Sequence, residues 1–418
     1  QAANDPANPG ADTSATGTDI PGASHVKPLA DPKAIAVAAG VPAPPTVSAP
    51  AWAVYDGVDG TLLAGRAIAT ERPTASLAKL VTALVVLSRT TGTEMVTASK
   101  NAEDSGDGSE IEMKAGQKFP VETLLQAMLV HSTNDAAVAL SEYLGGDEAS
   151  FVKLMQQTIT NMKLEHTTIT NATGLDDPAP ATSTPSDLFE IARAVMKDAR
   201  VRAAVAMPSV TVARSGEQPI TLTNRNELLG TYNGVDGIKT GFTDKAGNNV
   251  ALRWTAPAGA KGQVYIILMG AKTNADRWAD ARALLDWATP LRQEVLITEA
   301  GSRVATVPVA GSRKRASVYI ADDIKPAVRV GQHLTERIVL PRTLQAPLRA
   351  GDNVGRYQLL ANDKVVGSSQ LYISKNFHKP SRSERLKRYA GDWQSAWKSG
   401  FSEVRKQSHS FLAYWGYA

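Results

Sequence analysis

Apolar and polar positions change their period along the 418 residues, and each change marks a candidate boundary. Ala51–Asp56 is a short apolar run, Gly57–Gly60 a turn and Thr61–Ala64 a second run, which predicts a hairpin. Pro73–Leu87 is almost filled by Leu77, Leu80, Val81, Leu84, Val85 and Leu87 and predicts a buried helix. Helical spacing recurs over Val121–Leu129, Asn134–Leu144, Ala149–Met162 and Ser186–Asp198. The last of these is opened by the start signal Thr184-Pro185-Ser186-Asp187. Strands are predicted at Pro208–Ala213, Gly237–Thr240, Asn249–Trp254 and Val264–Met269, and an amphipathic helix at Asp276–Trp287. Strands at both ends with helices between them predict an α+β domain over 49–290, its sheet covered by helices.

After Pro290 the period switches to two. Thr306–Val309, Ala316–Ile320, Thr335–Leu340, Gly355–Leu360 and Gly367–Ile373 read as short strands of a small all-β domain over 291–374. The tail, 375–418, carries Leu386, Tyr389, Trp393, Trp397, Phe401, Val404, Phe411 and Trp415 at helical steps, with nine Lys and Arg against three acids. This predicts an amphipathic helix of the kind that lies in a membrane interface. At the other end, half of residues 1–48 are Ala, Gly or Pro and no aromatic precedes Trp52, so an extended, flexible linker is expected.

Composition narrows the function. A hydrophobic content of 43% excludes global disorder, and no apolar run is long enough to span a bilayer. A net charge of +4 is too small to imply nucleic acid. Absence of cysteine excludes thiol catalysis, disulfides and Cys-based zinc sites, and suits an oxidising compartment. The six histidines are scattered without a metal-ligand pair, so neither a metal nor a cofactor is expected. Starting at Gln1 without Met or signal peptide, the chain reads as a processed or truncated form.

Three short motifs carry chemistry. Ser76-Leu77-Ala78-Lys79 puts a hydroxyl and an amine on one helix face, where a lysine of lowered pKa serves a serine as base. The pattern recurs at Ser150 and Ser395, so it does not decide alone. Ser132-Thr133-Asn134, between two predicted helices, can aim a hydroxyl and a carboxamide into a cleft. Lys239-Thr240-Gly241 offers a cation and a hydroxyl to a substrate carboxylate, and Gly241 lets a ligand approach the strand edge. Only Ser76 has the other two motifs downstream of it, in the order of the penicillin-recognising serine enzymes. His131, next to Ser132, suggests a Ser-His triad but reads better as a helix-end residue.

Beyond the three motifs, Asn171-Ala172-Thr173-Gly174-Leu175-Asp176, Asn224-Arg225-Asn226 and Val235-Asp236-Gly237-Ile238 leading into Lys239 resemble the low-molecular-mass penicillin-binding proteins of the D-alanyl-D-alanine carboxypeptidase family. The resemblance spans about residues 50–375, and in kind the tail. It implies a penicillin-recognising serine transpeptidase/β-lactamase-like fold. It also implies a serine carboxypeptidase that removes the terminal D-Ala from peptidoglycan pentapeptides, and β-lactams as covalent inhibitors. By the same resemblance Ser76 is the nucleophile, Lys79 its base, and Ser132 with Lys239 a proton relay. Asn134 binds substrate backbone, Thr240 and Arg277 the carboxylate, and Arg225 lies near the site. The backbone N–H groups of Ser76 and Phe242 form the oxyanion hole. Phe242 replaces the His of the nearest relatives and points to a DD-endopeptidase as the alternative, with a β-lactamase behind it. The implied location is the bacterial periplasm, on the outer face of the cytoplasmic membrane, held by the tail.

Overall fold

In a computed structural model of the chain, residues 23–28, 41–105, 108–257, 262–310, 312, 314–379 and scattered positions to 399 are described. They fall into two compact units: residues 39–294 with 327–331, and residues 295–326 with the chain from 332 onward and the N-terminal segment.

The first unit is built from β1 Ala51–Asp56, β2 Leu62–Arg66, α1 Lys79–Arg89, α2 Val121–Val130, α3 Asn134–Gly145, α4 Glu148–Asn161 and α5 Pro185–Val195. After these come β3 Val235–Thr243, β4 Gly247–Thr255, β5 Gln263–Ala271 and α6 Asn274–Ala288. The five strands form an antiparallel sheet in the order β3-β4-β5-β1-β2. Both faces are buried, so β5 reads as an unbroken apolar run, Val264–Met269, and alternation assigns its residues to two cores. Val54, Val250, Leu252, Ile266 and Leu268 pack with Trp278, Leu284 and Leu285 of α6. Ala53, Tyr55, Ala251, Ile267 and Met269 face the helical layer with Leu77, Leu80, Leu124 and Phe189. Helix starts follow local chemistry: Thr184 Oγ1 accepts from Asp187 N at 3.1 Å with Pro185 in the first turn, and Thr273 and Asp276 form a reciprocal capping box.

Three local expectations change. The helix expected from Pro73 starts at Lys79. Arg72–Pro73 pairs with Thr182–Ser183, and Ala75–Ala78 is a tight 3-10 turn entered through Ala75 at φ 48°. The run at 208–213 is not part of the main sheet but pairs with Ile220–Thr223 as a separate ribbon. Finally, the domain cut at 290 is not clean. Arg292–Glu294 pairs with Ala327–Arg329 inside the first unit, where Arg292 Nη2 lies 2.6 Å and Arg329 Nε 3.2 Å from the buried Asp56 carboxylate.

In the second unit, a seven-stranded sheet forms among the described residues, with strands in the order 23–28, 334–340, 353–361, 364–373, 315–320, 303–310, 344–345. Leu359, Leu371, Ile373, Val318 and Ile320 are buried in its core. The expectation of a flexible linker over 1–48 is corrected in part. Ala23–Pro28 pairs antiparallel with Leu334–Leu340, and Ser48 and Ala49 donate backbone N–H groups to Asp280. The first attachment is backbone pairing and the second joins two backbone N–H groups and the Ser48 hydroxyl to one carboxylate, neither of which an Ala- and Pro-rich composition reveals. Pairing also runs past residue 374, since Leu348 and Phe377 exchange two backbone hydrogen bonds of 2.8 Å. The amphipathic helix expected over 375–418 lies mostly outside the described residues. Among those described, no helix is long and apolar enough to cross a membrane.

Candidate active site

The site forms where edge strand β3 passes the turn that precedes α1. Ser76 sits in that turn, and Lys79 opens the helix. A Cβ added to Gly241 would lie 3.0 Å from Ser76 N and 3.1 Å from Thr74 O, so only glycine lets β3 run this close to the serine. From β4, Asn249 Nδ2 donates to the carbonyls of Pro73 (2.9 Å) and Thr74 (3.0 Å), while its Oδ1 accepts from Gly270 N at 2.7 Å. The sheet thereby fixes the turn from behind.

Lys79 is fully buried. Its Nζ lies 3.1 Å from Ser76 Oγ, 2.7 Å from Asn134 Oδ1 and 2.7 Å from the carbonyl oxygen of Thr173. Burial, reinforced by the Arg225 cation, pulls its pKa down to about 7, against a small opposing pull from Asp135. A neutral amine has two N–H donors and one lone pair. Two carbonyl oxygens take the donors, which leaves the lone pair for the serine hydroxyl.

The Thr173 carbonyl is aimed by a compact turn. Asn171 Oδ1 accepts from Thr173 N, Thr173 Oγ1 and Gly174 N at 3.2, 3.0 and 2.6 Å. Gly174 has φ 79°, and a Cβ there would meet Ala75 O at 2.0 Å. This explains the Asn171–Gly174 stretch, whose side chains touch no cleft.

Ser132 joins α2 to α3 in the left-handed region, φ 72°, where a non-glycine residue is strained. Ser109 holds this turn: its Oγ donates within 3.0–3.1 Å of the carbonyls of His131 and Ser132, and its carbonyl accepts from Asn134 N at 2.6 Å. Asp135, also buried, accepts from the backbone of Ile111 and Ala136. Burial still pushes its pKa up to about 6.

Lys239 is buried on β3 and donates to Thr240 O at 2.8 Å. Burial first, and then the Lys79, Arg225 and Arg277 cations, hold its pKa well below the usual lysine range. Arg277, at the start of α6, donates to Gly241 O and Asn249 O at 3.4 and 3.1 Å and to Asn274 Oδ1. Among the described residues its Nε has no hydrogen-bond partner.

A cleft of about 740 Å³ opens above these groups. Ser76, Ser132, Asn134, Thr240, Gly241, Phe242, Arg225 and Arg277 line it, with Ser109, Leu175 and Asp176. The structure therefore gathers every residue expected from the sequence around one cleft, with Lys79 and Lys239 buried behind its wall. Phe242 is 58% exposed, so its backbone stays at the site while its ring stands in the opening. Asn249, Ser109 and Asp135 were not anticipated. Two adjacent asparagines heading an apolar strand run, Asn248-Asn249, are the one sequence signal that could have revealed the first.

A serine activated by a buried lysine, beside an edge strand carrying a second lysine, defines a penicillin-recognising serine hydrolase. Residues 38–273 match the D-alanyl-D-alanine carboxypeptidase family and residues 293–379 the penicillin-binding protein 5 C-terminal domain. The chain belongs to this carboxypeptidase family. It is similar to D-alanyl-D-alanine carboxypeptidase DacD of Salmonella typhimurium, 29% identical over 88% of this chain and 95% of that one. It is also similar to D-alanyl-D-alanine carboxypeptidase DacC of Escherichia coli, 30% identical over 79% of this chain and 85% of that one. Among solved structures it resembles penicillin binding protein 5 from Haemophilus influenzae, with a TM-score of 0.58 and 26% identity over 81% of this chain and all of that one.

Proposed function

We propose that this serine-type D-alanyl-D-alanine carboxypeptidase works through an acyl-enzyme on Ser76. The observation that carries this reading is the Lys79 amine, drawn to a pKa of about 7 and 3.1 Å from the Ser76 hydroxyl. Neutral Lys79 takes the Oγ proton as Oγ attacks the carbonyl between the two D-Ala residues of a peptidoglycan pentapeptide. The N–H groups of Ser76 and Phe242 receive the oxyanion. Ser132, with Lys239, returns a proton to the departing D-Ala amine as the C–N bond breaks. Water then hydrolyses the ester.

Asn134 has its Oδ1 committed to Lys79, and its side chain meets the substrate backbone at the cleft wall. Thr240, Arg277 and Arg225 face the terminal carboxylate, and the free edge of β3 takes the peptide as an added strand. A β-lactam presents the same carbonyl and acylates the same serine.

Ser76→Ala should lose all covalent labelling by a fluorescent penicillin while Ser150→Ala keeps it. Lys79→Arg should also fail, since a guanidinium does not deprotonate in this range. Labelling that survives in Ser76→Ala would sink the mechanism. The exposed Phe242 ring in an open cleft favours a second reading, cleavage of crosslinks. Digests of a pentapeptide and of a crosslinked dimer separate the two.

We also propose that the tail attaches the enzyme to the outer face of the bacterial cytoplasmic membrane, in the periplasm. The Trp393, Trp397 and Trp415 stripe suits a headgroup boundary, and the opposing Lys and Arg suit anionic lipid.

A further inference from the structure

His131 closes α2 directly before Ser132, and both of its ring nitrogens are engaged. Nδ1 lies 2.7 Å from the carbonyl oxygen of Thr223. That oxygen can only accept, so Nδ1 carries the proton and Nε2 presents a lone pair. Arg225 Nη2, a pure donor, lies 3.3 Å from Nε2. The same guanidinium donates through Nε to the His131 carbonyl at 2.8 Å and through Nη2 to Ser109 Oγ at 3.2 Å. His131 therefore holds the cleft-lining Arg225 at two points, with its ring and with its own backbone, while Ser109 ties that arginine to the Ser132 turn.

We propose that His131, in its neutral Nδ1–H tautomer, is the positioning residue that aims Arg225 into the substrate cleft. This rests on the assignment of Arg225 to the carboxylate end of the substrate.

The arrangement has a built-in weakness. A second ring proton would turn Nε2 into a donor facing a donor, and would place an imidazolium against a guanidinium. Among the described residues, the charged groups bearing on the ring are Arg225 and Lys239, both cations. Burial, helped by these two charges, holds the imidazole below its usual pKa, against the opposing pull of the Thr223 carbonyl, which outweighs either charge alone. The neutral form is thus the resting one at neutral pH. Acid would release Arg225 and weaken substrate capture on top of the loss of the Lys79 base.

The test compares full-length wild type, His131→Leu, His131→Gln, Arg225→Ala and the His131→Leu/Arg225→Ala double variant on a D-Ala-D-Ala peptide. Leucine removes the acceptor and should lower kcat/KM about tenfold, mostly through KM, as expected for a lost hydrogen bond to a charged group. Glutamine can accept from Arg225 and donate to Thr223 without titrating, so His131→Gln should stay within about threefold of wild type at pH 8. As pH falls below the ordinary histidine range, kcat/KM of wild type should fall by about tenfold more than that of His131→Gln, through a steeper acid limb. On the Arg225→Ala background, His131→Leu should have no further effect.

The proposal is overturned if wild type and His131→Gln share one acid slope, or if His131→Leu costs as much with Arg225 absent as present. Should His131→Leu fail to fold, the slope comparison with His131→Gln decides alone. If Arg225→Ala itself leaves KM unchanged, the assignment of Arg225 fails, and with it the proposal. The Ser76 mechanism is untouched by that outcome, because penicillin labelling reads it separately.

Discussion

Asn134 Oδ1 accepts a hydrogen bond of 2.7 Å from Lys79 Nζ, so the first residue of α3 holds the buried lysine in place. Asn134→Asp replaces that amide oxygen with a carboxylate. An opposite charge at this distance raises an amine's pKa by roughly 1–3 units. Lys79 acts as base only when deprotonated, so activity is lost as pH falls through its pKa, about 7 in the native chain. The acid limb of the kcat/KM profile should therefore move upward by at least about one unit. Activity at pH 7 should fall about fivefold or more and partly recover by pH 9. A pH profile superimposable on wild type would show that Lys79 is not the titrating base.

Gly241→Ala tests how tightly the edge strand is laid against the nucleophile. The added Cβ would meet Ser76 N, Thr74 O and the Ala75 Cβ at 3.0–3.2 Å, none of which is the end of a flexible side chain. The strand must lift, and the oxyanion donors separate. Relief needs a shift of a few tenths of an ångström, short of the misplacement near 1 Å that costs about 10²-fold, so acylation by penicillin should slow by roughly tenfold, with the melting temperature little changed. Stopped-flow labelling measures this, and an unaltered rate would mean that the strand is not part of the oxyanion site.

Asn249→Ala removes the brace behind the serine turn. Two carbonyls and one N–H lose their side-chain partner, which should cost about 2–4 kcal/mol at roughly 1 kcal/mol per hydrogen bond with a desolvation penalty. Denaturant unfolding reads the stability. Because Ser76 shifts while the carboxylate-binding groups remain, kcat should fall more than KM rises. A stable variant with normal kcat would reduce Asn249 to an ordinary sheet residue.

The vesicle experiment depends on where the chain is cut. Phe377 pairs with Leu348, and Asn376 Oδ1 accepts from Ala350 N at 2.7 Å, so a chain ending at Ser374 loses part of the all-β unit. A chain ending at Lys379 should stay folded, cleave small peptides normally and ignore anionic vesicles. The full chain should bind them, less tightly as salt rises. Equal behaviour of the two chains would remove the membrane role of the tail.

The placing of Ser76, Lys79 and the Lys239-Thr240-Gly241 strand at one cleft was legible because each lies in a three- or four-residue motif whose spacing is itself the chemistry. What was not legible is carried by backbone or by partners distant in sequence. The Thr173 carbonyl that completes the Lys79 site leaves no trace in residue identity at 173; only Asn171 and Gly174, which aim it, do. The break at Ala75 was hidden because Pro73–Leu87 has the composition of one buried helix, and tertiary pairing of Arg72–Pro73 overrides it. Asn249 looked like the polar start of an apolar strand. The strand at Ala23–Pro28 is an edge addition, decided by its partner Leu334–Leu340 rather than by its own alternation.

The Asp56 carboxylate, 2% exposed, receives one arginine from the stretch just before the all-β unit and another from the stretch that returns at 327–329. The peptidase half of this molecule is therefore not severable by a single cut. A gene fragment stopping at 290 keeps the whole active site but deletes both counter-ions of Asp56, leaving a buried charge at a penalty of about 3–5 kcal/mol. Such a fragment should be recovered intact only if residues 327–331 are restored through a short bridge or if Asp56 is neutralised at the same time. In evolutionary terms, losing the companion by truncation would call for a change at that carboxylate or for a bridge that keeps 327–331.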